Sequence, residues 1–168
     1  MAVGPAEPNG SCRVAVRSPA AGRLAWPGVY RGRVTVSPPC PCGSQIAYAA
    51  CCEPWHDGLP APTAEAVMRS RYAAYVLGRE DHLLRTWHPR TRPDRIDVGS
   101  TQWIGLRILA VEAGSEGDAT GVVEFEARHR GGVLHERSRF ERRHHRWVYV
   151  DGDVMLDRPV SRRRQTGS

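Results

Sequence analysis

The sequence contains no lysine, and no apolar run approaches the roughly 20 residues that a membrane-spanning helix needs. Its N-terminal segment also lacks the continuous apolar stretch of a secretory signal, because Arg13, Arg17 and Arg23 interrupt it. We therefore expect no membrane span and a location in the reducing cytoplasm. A GC-rich genome explains the absence of lysine better than phosphate chemistry does.

The net charge of +6 is concentrated at the two ends of the chain. Residues 1–37 carry five arginines and one acid, and residues 158–168 carry four arginines and no acid. The body between them holds 15 arginines and 17 acids, so it is close to neutral. This pattern predicts nucleic-acid binding only weakly, through the arginine-rich tails and with strong salt dependence. Solvated ends without a ligand are the simpler interpretation.

Composition divides the chain into four segments. Residues 1–37 are rich in proline, glycine, alanine and arginine, which predicts a disordered or weakly structured extension. Residues 38–59 are rich in cysteine, and we expect them to form a compact module of their own, which the cysteine spacing below identifies as metal-binding. Residues 60–157 contain the periodic patterns of one domain, entered through Pro60-Ala61-Pro62 as a short stiff linker. Residues 158–168 are expected to be a disordered basic tail.

The body changes from a helical period to a strand period along its length. Apolar residues at helical spacing and a capping Thr63 predict a helix up to Gly78, and a second short helix is predicted over residues 81–87. From Gln102 onward apolar residues alternate, and hairpin turns are predicted at residues 131–132 and 143–145. Helices followed by an antiparallel meander predict an α+β fold with helices packed on one face of a curved sheet.

Four of the five cysteines fall within 13 residues, as Cys40 and Cys42 followed by Cys51 and Cys52. Clustered thiols in a reducing compartment favour a metal over disulfides. Four thiolates complete a tetrahedral sphere without a position for water, so this set predicts a structural metal site. Zinc is favoured, and iron suits the same all-thiolate set. Free thiols with a vicinal redox pair are the alternative, and Cys12 is an unrelated thiol.

The sequence Cys-Pro-Cys-Gly-Ser at residues 40–44, followed by the cysteine pair, resembles the SEC-C motif, a zinc module also found at the C-terminus of the SecA translocation ATPase. With five later motifs, the chain resembles the bacterial YchJ family over about residues 38–156. Those motifs are Met68-Arg69-Ser70-Arg71-Tyr72 with Trp87-His88-Pro89, Gln102-Trp103-Ile104-Gly105-Leu106, Glu136-Arg137-Ser138-Arg139-Phe140, and Trp147-Val148-Tyr149-Val150-Asp151-Gly152.

The resemblance implies a SEC-C module followed by a domain of the nuclear-transport-factor-2-like fold, a cone of helices over a curved antiparallel sheet. It also implies that the metal ligands are Cys40, Cys42, Cys51 and Cys52. Two features depart from the family pattern. The N-terminal extension is additional, and an arginine-rich end stands where some members carry a second SEC-C module. The resemblance implies no particular reaction.

A cone of this kind often encloses a ligand pocket, so inward-facing polar residues are candidates for a site. Strand residues 133–141 place Glu136 and Ser138 on the same face as two large apolar side chains. A buried carboxylate must be paired or protonated, and Arg69 or Arg71 on the first long helix is a suitable partner. A structural ion pair between helix and sheet is favoured, and a ligand-binding or catalytic role is the alternative.

The aromatic residues Tyr72, Trp103, Trp147 and Tyr149 either line the same cavity or belong to the core, and core is the commoner role on a half-buried sheet. His88 follows the second helix, where it is a candidate general base or, by preference, a C-terminal cap. No nucleophile elbow, phosphate-binding glycine loop or zinc-protease motif is present. We therefore name no catalytic residue and lean against an enzyme.

These observations are compatible with three functions, and the weak nucleic-acid binding described above is the third of them. The favoured one is a non-enzymatic adaptor whose SEC-C module binds a protein partner, such as the ribosome, a chaperone or a nascent chain. It predicts that Tyr48, Trp55 and Leu59 are exposed around the metal. The second is a small-molecule binding protein or enzyme, which predicts an enclosed cavity on which Glu136, Arg71 and Trp103 converge.

Overall fold

The structure is a computed structural model that describes residues 38–155. The predictions for residues 1–37 and 158–168, including nucleic-acid binding, lie outside this range. Within it, three helices precede four strands, and a 3₁₀ turn at Tyr48–Ala50 precedes the helices. The helices are α1 (Glu53–His56), α2 (Ala64–Leu77) and α3 (Glu80–Arg85), and the strands are β1 (Trp103–Ala113), β2 (Thr120–His129), β3 (Gly132–Arg143) and β4 (Arg146–Val154). None of the described helices is long and apolar enough to cross a membrane.

Helix α2 begins and ends where the sequence predicts. The Thr63 hydroxyl accepts a hydrogen bond of 3.0 Å from the backbone N–H of Ala66, as expected of an N-cap. Gly78 ends the helix in the left-handed conformation, with φ of 70°. Helix α3 is shorter than the predicted span of residues 81–87, because Trp87 forms a parallel bridge with Tyr149 instead of continuing the helix.

The four strands form one antiparallel sheet in the order β1-β2-β3-β4, which confirms the predicted α+β class and its meander. Two residues connect β2 to β3, and two connect β3 to β4. The second of these turns consists of His144 and His145, which both have positive φ. Such a turn matches the right-handed twist of the strands that it joins.

The main core lies between α2 and the inward face of the sheet. Close packing at one end of this interface requires glycine. Ala64 is fully buried, and its backbone N–H donates to the Gly114 carbonyl at 2.9 Å. A Cβ at Gly121 would lie 2.6 Å from Gly114 Cα and 2.9 Å from Ala64 Cβ. The core residues are Ala61, Ala64, Val67, Met68, Tyr72, Val123, Phe125, Ala127, Phe140 and Trp147.

The residues predicted as a stiff linker are packed against the domain. Ala61 is 7% exposed and belongs to the main core. The Trp147 indole N–H donates to the Pro62 carbonyl at 3.2 Å, and Arg146 donates to the Gly58 carbonyl at 3.0 Å. The cysteine-rich segment is therefore held directly on the sheet and helices that follow it.

Candidate functional site

Four cysteine sulfurs converge at one point of the structure and lie within 4.8 Å of one another. Cys40, Cys42 and Cys52 are buried, and Cys51 is half-buried. The Sγ of Cys51 lies 3.5 Å from that of Cys42 and 3.9 Å from that of Cys52. Sulfurs bound to a tetrahedral zinc at 2.3 Å are separated by about 3.8 Å, so these side chains fit the ion.

Local backbone geometry brings the two cysteine pairs together. Gly43 has φ of 81°, a conformation that glycine adopts without strain, and reverses the chain after the first pair. The Cys40 N–H then donates to the Ile46 carbonyl at 2.7 Å. The 3₁₀ turn at Tyr48–Ala50 leads into the second pair.

The cysteine thiols differ in how strongly they hold their protons. Burial raises the pKa of Cys40 to about 11, whereas a hydrogen bond from Cys52 lowers the pKa of Cys42 to about 4. The same hydrogen bond, together with burial, raises the pKa of Cys52. Metal binding must therefore displace thiol protons. A set of four thiolates leaves no coordination position for water, so the ion would act as a structural crosslink.

The cysteine cluster packs against one face of α2. Arg69 donates from Nη1 to the Cys42 carbonyl at 3.2 Å, and its Nε forms an ion pair of 2.7 Å with Glu65. Ala73 is fully buried among the cysteines. Arg69 is thus engaged on the face of α2 that carries the cysteine cluster, and the predicted alternative of an Arg69–Glu136 pair is wrong.

A buried histidine–serine network, which sequence reasoning missed, joins α1, α2 and α3. His56 Nε2 lies 2.9 Å from the Ser70 carbonyl, and His56 Nδ1 lies 2.8 Å from the Tyr48 hydroxyl. His82 Nε2 lies 3.0 Å from the Ser70 hydroxyl. These residues share no spacing motif, because they meet only after three helices pack together.

This network makes stability depend on pH through His82. Burial lowers the pKa of His82 to about 3, and its Nδ1 has no hydrogen-bond partner within residues 38–155. The unfolded state, with a histidine pKa of about 6.5, takes up a proton below that pH and the folded state does not. We expect His82 to reduce the free energy of unfolding by up to about 1.4 kcal/mol per pH unit as pH falls from 6.5 toward 3.

Urea unfolding of the metal-loaded protein and of His82→Leu at pH 7 and pH 5 measures this contribution. Both proteins contain the same cysteines, so acid effects on the metal site cancel in the difference. The wild type should lose about 2 kcal/mol more than the variant over this interval. Equal losses in the two proteins would rule out His82 as the source.

A cavity of about 230 Å³ lies between the other face of α2 and the concave face of the sheet. Aromatic rings form much of its wall, together with Met68, Ala127 and Leu134. Those rings belong to Tyr72, Tyr75, Trp87, Trp103, Phe125 and Tyr149. Of the predicted pocket residues, the structure brings Arg71, Tyr72, Trp103, Glu136 and Ser138 to this cavity.

Three aromatic residues of the cavity were not identified as such from the sequence: Tyr75, Trp87 and Phe125. Tyr75 follows Arg71 by four residues on α2, a spacing that places both side chains on one face of the helix. This spacing could have predicted from the sequence that Tyr75 lies beside Arg71. Trp147, considered as a lining residue, is 2% exposed and belongs to the core instead.

Arg71 forms the positively charged end of the cavity and is only 4% exposed. Its Nη1 donates to the Leu83 carbonyl at 2.9 Å and to the Thr86 hydroxyl at 3.0 Å. Its guanidinium carbon lies 4.8 Å from the ring centre of Trp87 and 4.6 Å from that of Tyr149. Burial lowers the pKa of Arg71 to about 10, so the group stays charged at neutral pH.

Glu136 lies on the sheet side of the same end. Its Oε1 accepts hydrogen bonds from the Ser138 hydroxyl at 2.6 Å and from the Tyr149 hydroxyl at 3.0 Å. Burial raises the pKa of Tyr149, which keeps its hydroxyl a donor. Gly152 provides the necessary space, because a Cβ there would overlap the carboxylate.

The favoured ion pair between Glu136 and Arg71 is not formed. Within the described residues, no carboxylate oxygen lies within 4.0 Å of the Arg71 guanidinium. The guanidinium is instead drawn toward the end of α3 by Leu83 and Thr86, while hydroxyls of the sheet hold Glu136. Two opposite charges therefore face one cavity without a direct contact.

His88 does not line the cavity, and neither predicted role fits its contacts. It is 1% exposed, its Nδ1 accepts a bond of 3.1 Å from the Arg90 N–H, and its Nε2 lies 2.7 Å from Arg143 Nη1. Thr86 and Arg71 donate hydrogen bonds to the carbonyls at the end of α3 instead. His88 thus holds the loop after α3 against the end of β3.

Comparison with protein-family models identifies both parts of the structure. Residues 63–152 match the family described as YchJ, middle NTF2-like domain, and residues 39–54 match the SEC-C motif. A UPF0225 protein of Streptomyces coelicolor is 55% identical over 121 residues, which cover 71% of this chain and 98% of that protein. A UPF0225 protein of Chromobacterium violaceum is 54% identical over 125 residues, covering 68% and 92%.

Two solved structures are similar to the chain. One is the solution structure of a SEC-C motif containing protein from Rhodopseudomonas palustris, with a TM-score of 0.60 and 35% identity. It covers 70% of this chain and 98% of that protein. The other is the crystal structure of a SEC-C motif containing protein from Psychrobacter arcticus, with a TM-score of 0.56 and 27% identity, covering 74% and 86%.

Proposed function

The chain belongs to the YchJ (UPF0225) family, and from this premise we propose that it is a small-molecule binding protein whose cavity is supported by a structural zinc site. The observation that carries the proposal is the cavity itself. It is largely aromatic, and a buried arginine and a carboxylate face it at one end. Apolar walls with a few convergent polar groups are the usual form of a ligand site.

The cysteine cluster supports this function from the opposite face of α2. Zinc is the ion that we assign to it, with iron as the alternative for four thiolates. Reduced cysteines are required for such a site, which supports a location in the cytoplasm. A closed thiolate sphere offers no position for a substrate, so the metal contributes rigidity rather than chemistry.

A second function, binding of a protein partner by the SEC-C module, is favoured by two exposed apolar side chains. Ile46 and Leu59 are 51% and 60% exposed. Two other side chains expected on this surface are less available, since Tyr48 is half-buried and Trp55 packs against the main core. The ribosome, a chaperone or a nascent chain would be the partner. We rank this function second, because isolated exposed apolar residues are common on protein surfaces.

Ligand-observed NMR with a set of small aromatic fragments tests the cavity directly. We expect several neutral or charged fragments to bind the metal-loaded protein. Ala127→Leu should abolish that binding, because Ala127 is 2% exposed and the added atoms would enter the cavity. Ala110→Leu, the same change at an exposed position of β1, is the matched control.

Two results of this experiment would contradict the proposal. Absence of binding to the wild type, or binding that Ala127→Leu leaves unchanged, would remove the cavity as a ligand site. Amide spectra of both variants show whether each keeps the fold of the wild type.

A further inference from the structure

We propose that the cavity binds a small carboxylic acid with an aromatic or apolar body and with a hydroxyl or amino group next to the carboxylate. The ligand carboxylate pairs with Arg71, and the neighbouring donor bonds to Glu136. This inference deepens the proposed small-molecule function and rests on it.

The Arg71 guanidinium is prepared for an anion. Of its three nitrogens, only Nη1 makes hydrogen bonds within the described residues. Nε and Nη2 have no hydrogen-bond partner among the described residues, and Arg71 lines the cavity, so both nitrogens are available to a ligand there. Their N–H groups form the parallel pair that matches the two oxygens of a carboxylate.

The surroundings of Arg71 favour the binding of an anion next to its guanidinium group. A buried charge without a counterion is destabilising by several kcal/mol in general. Here two aromatic faces and two hydrogen bonds offset part of that penalty, and the remainder favours an anionic ligand. These contacts also lock the guanidinium in place, so little side-chain entropy is lost when a ligand binds.

Glu136 restricts which carboxylic acids fit. Its negative charge would repel a plain carboxylate that approached Arg71. Its Oε1 already accepts from the hydroxyls of Ser138 and Tyr149, which leaves Oε2 to accept from the ligand. A hydroxyl or amino group beside the ligand carboxylate supplies that donor. Arg71 lies over the Tyr149 ring and Glu136 binds its hydroxyl, so one ligand can reach both groups.

The rest of the cavity sets the size and nature of the ligand body. Tyr72 and Trp103 are in edge-to-face contact at 6.1 Å, and Phe125 and Leu134 complete an apolar wall. The volume of about 230 Å³ lies below the roughly 300–1,000 Å³ of pockets for drug-sized ligands. A single ring or short branched chain is therefore the appropriate body.

Three probes separate these recognition elements in the wild-type protein by isothermal titration calorimetry. They are 3-phenyllactate, 3-phenylpropanoate, which lacks the hydroxyl group, and 2-phenylethanol, which lacks the carboxylate. Phenyllactate should bind most tightly, and each of the others should bind at least about tenfold more weakly, since each loses a charge-assisted hydrogen bond.

Two variants assign the contacts. Arg71→Lys keeps the charge but removes the paired N–H groups, so phenyllactate should bind at least about tenfold more weakly while 2-phenylethanol is unaffected. Glu136→Gln should reduce the preference for phenyllactate over phenylpropanoate. Because the probe comparison in the wild type needs no variant, failure of Arg71→Lys to fold leaves the test intact.

The outcomes separate this inference from the function on which it rests. If neutral fragments bind in the cavity but phenyllactate has no advantage over 2-phenylethanol, the ligand class is wrong and the cavity remains a binding site. If no fragment binds at all, both proposals fail. Equal affinity of phenyllactate and phenylpropanoate would overturn the role of Glu136.

Discussion

Cys42→Ser is expected to eliminate metal binding and to lower the free energy of unfolding by more than about 4 kcal/mol. The Cys42 side chain is fully buried at the centre of the cluster, and the segment around it has little core apart from the cysteines. Loss of one thiolate leaves an incomplete coordination sphere, and metal binding energy is folding energy in such small modules.

Metal analysis and thermal unfolding of the purified proteins test this expectation. The wild type should contain one metal ion per chain, and chelation should expose four thiols to a disulfide reagent. Cys12→Ser is the matched control, because it makes the same change at a cysteine distant in sequence from the cluster. A Cys42→Ser protein that retains its metal would contradict the assignment.

The effect should extend to the cavity. Arg69 and Ala73 hold α2 against the cysteine cluster, while Arg71 and Tyr72 on the same helix line the cavity. Loss of the metal removes support from one face of this helix and so loosens the other. Chelation should therefore weaken the binding of cavity ligands, even though no ligand touches the metal.

Phe140→Ala is expected to destabilise the protein by about 3–5 kcal/mol. Phe140 is 2% exposed on the inward face of β3, and its ring centre lies 5.8 Å from that of Tyr149. Truncation removes buried apolar surface and leaves a void that the surrounding strands can fill only in part. The measurement is urea unfolding of the metal-loaded protein.

Val133→Ala provides the comparison on the same strand. Val133 is 47% exposed, so its truncation should change stability by no more than about 0.5 kcal/mol. Similar losses in the two variants would show that the assignment of inward and outward faces of β3 is mistaken.

The fold was predictable because its signals are local. A hydroxyl at Thr63, a glycine at Gly78 and alternation along β2 and β3 each act within a few residues, and each has the predicted outcome. In β1 the predicted alternation is wrong, because the pairing register shifts twice and Ile104 and Ala110 are exposed. The inward orientation of Glu136 and Ser138 followed from the same alternation. Their presence at one cavity with Arg71 needed only the packing of one helix on one sheet.

Several features of the site were beyond local patterns. Arg71 donates hydrogen bonds to Leu83 and Thr86 at the end of α3, and the positions of these two residues are set only when the helices pack together. The position of His88 depends on the bridge between Trp87 and Tyr149, which are distant in sequence. Charge complementarity alone predicted an ion pair, because it took no account of competing carbonyl and hydroxyl groups.

The strands lie in the sheet in the same order as in the sequence, and this order affects how the protein folds. Each pairing joins consecutive strands, across six residues between β1 and β2 and two at each later turn. The entropy lost in closing such short loops is small, so the strands can pair successively from the hairpins. Helix α2 precedes all of them and docks across a much longer stretch of chain. Assembly of the sheet should therefore be independent of metal, whereas binding of a metal ion at the cysteine cluster would complete a later docking of the helix.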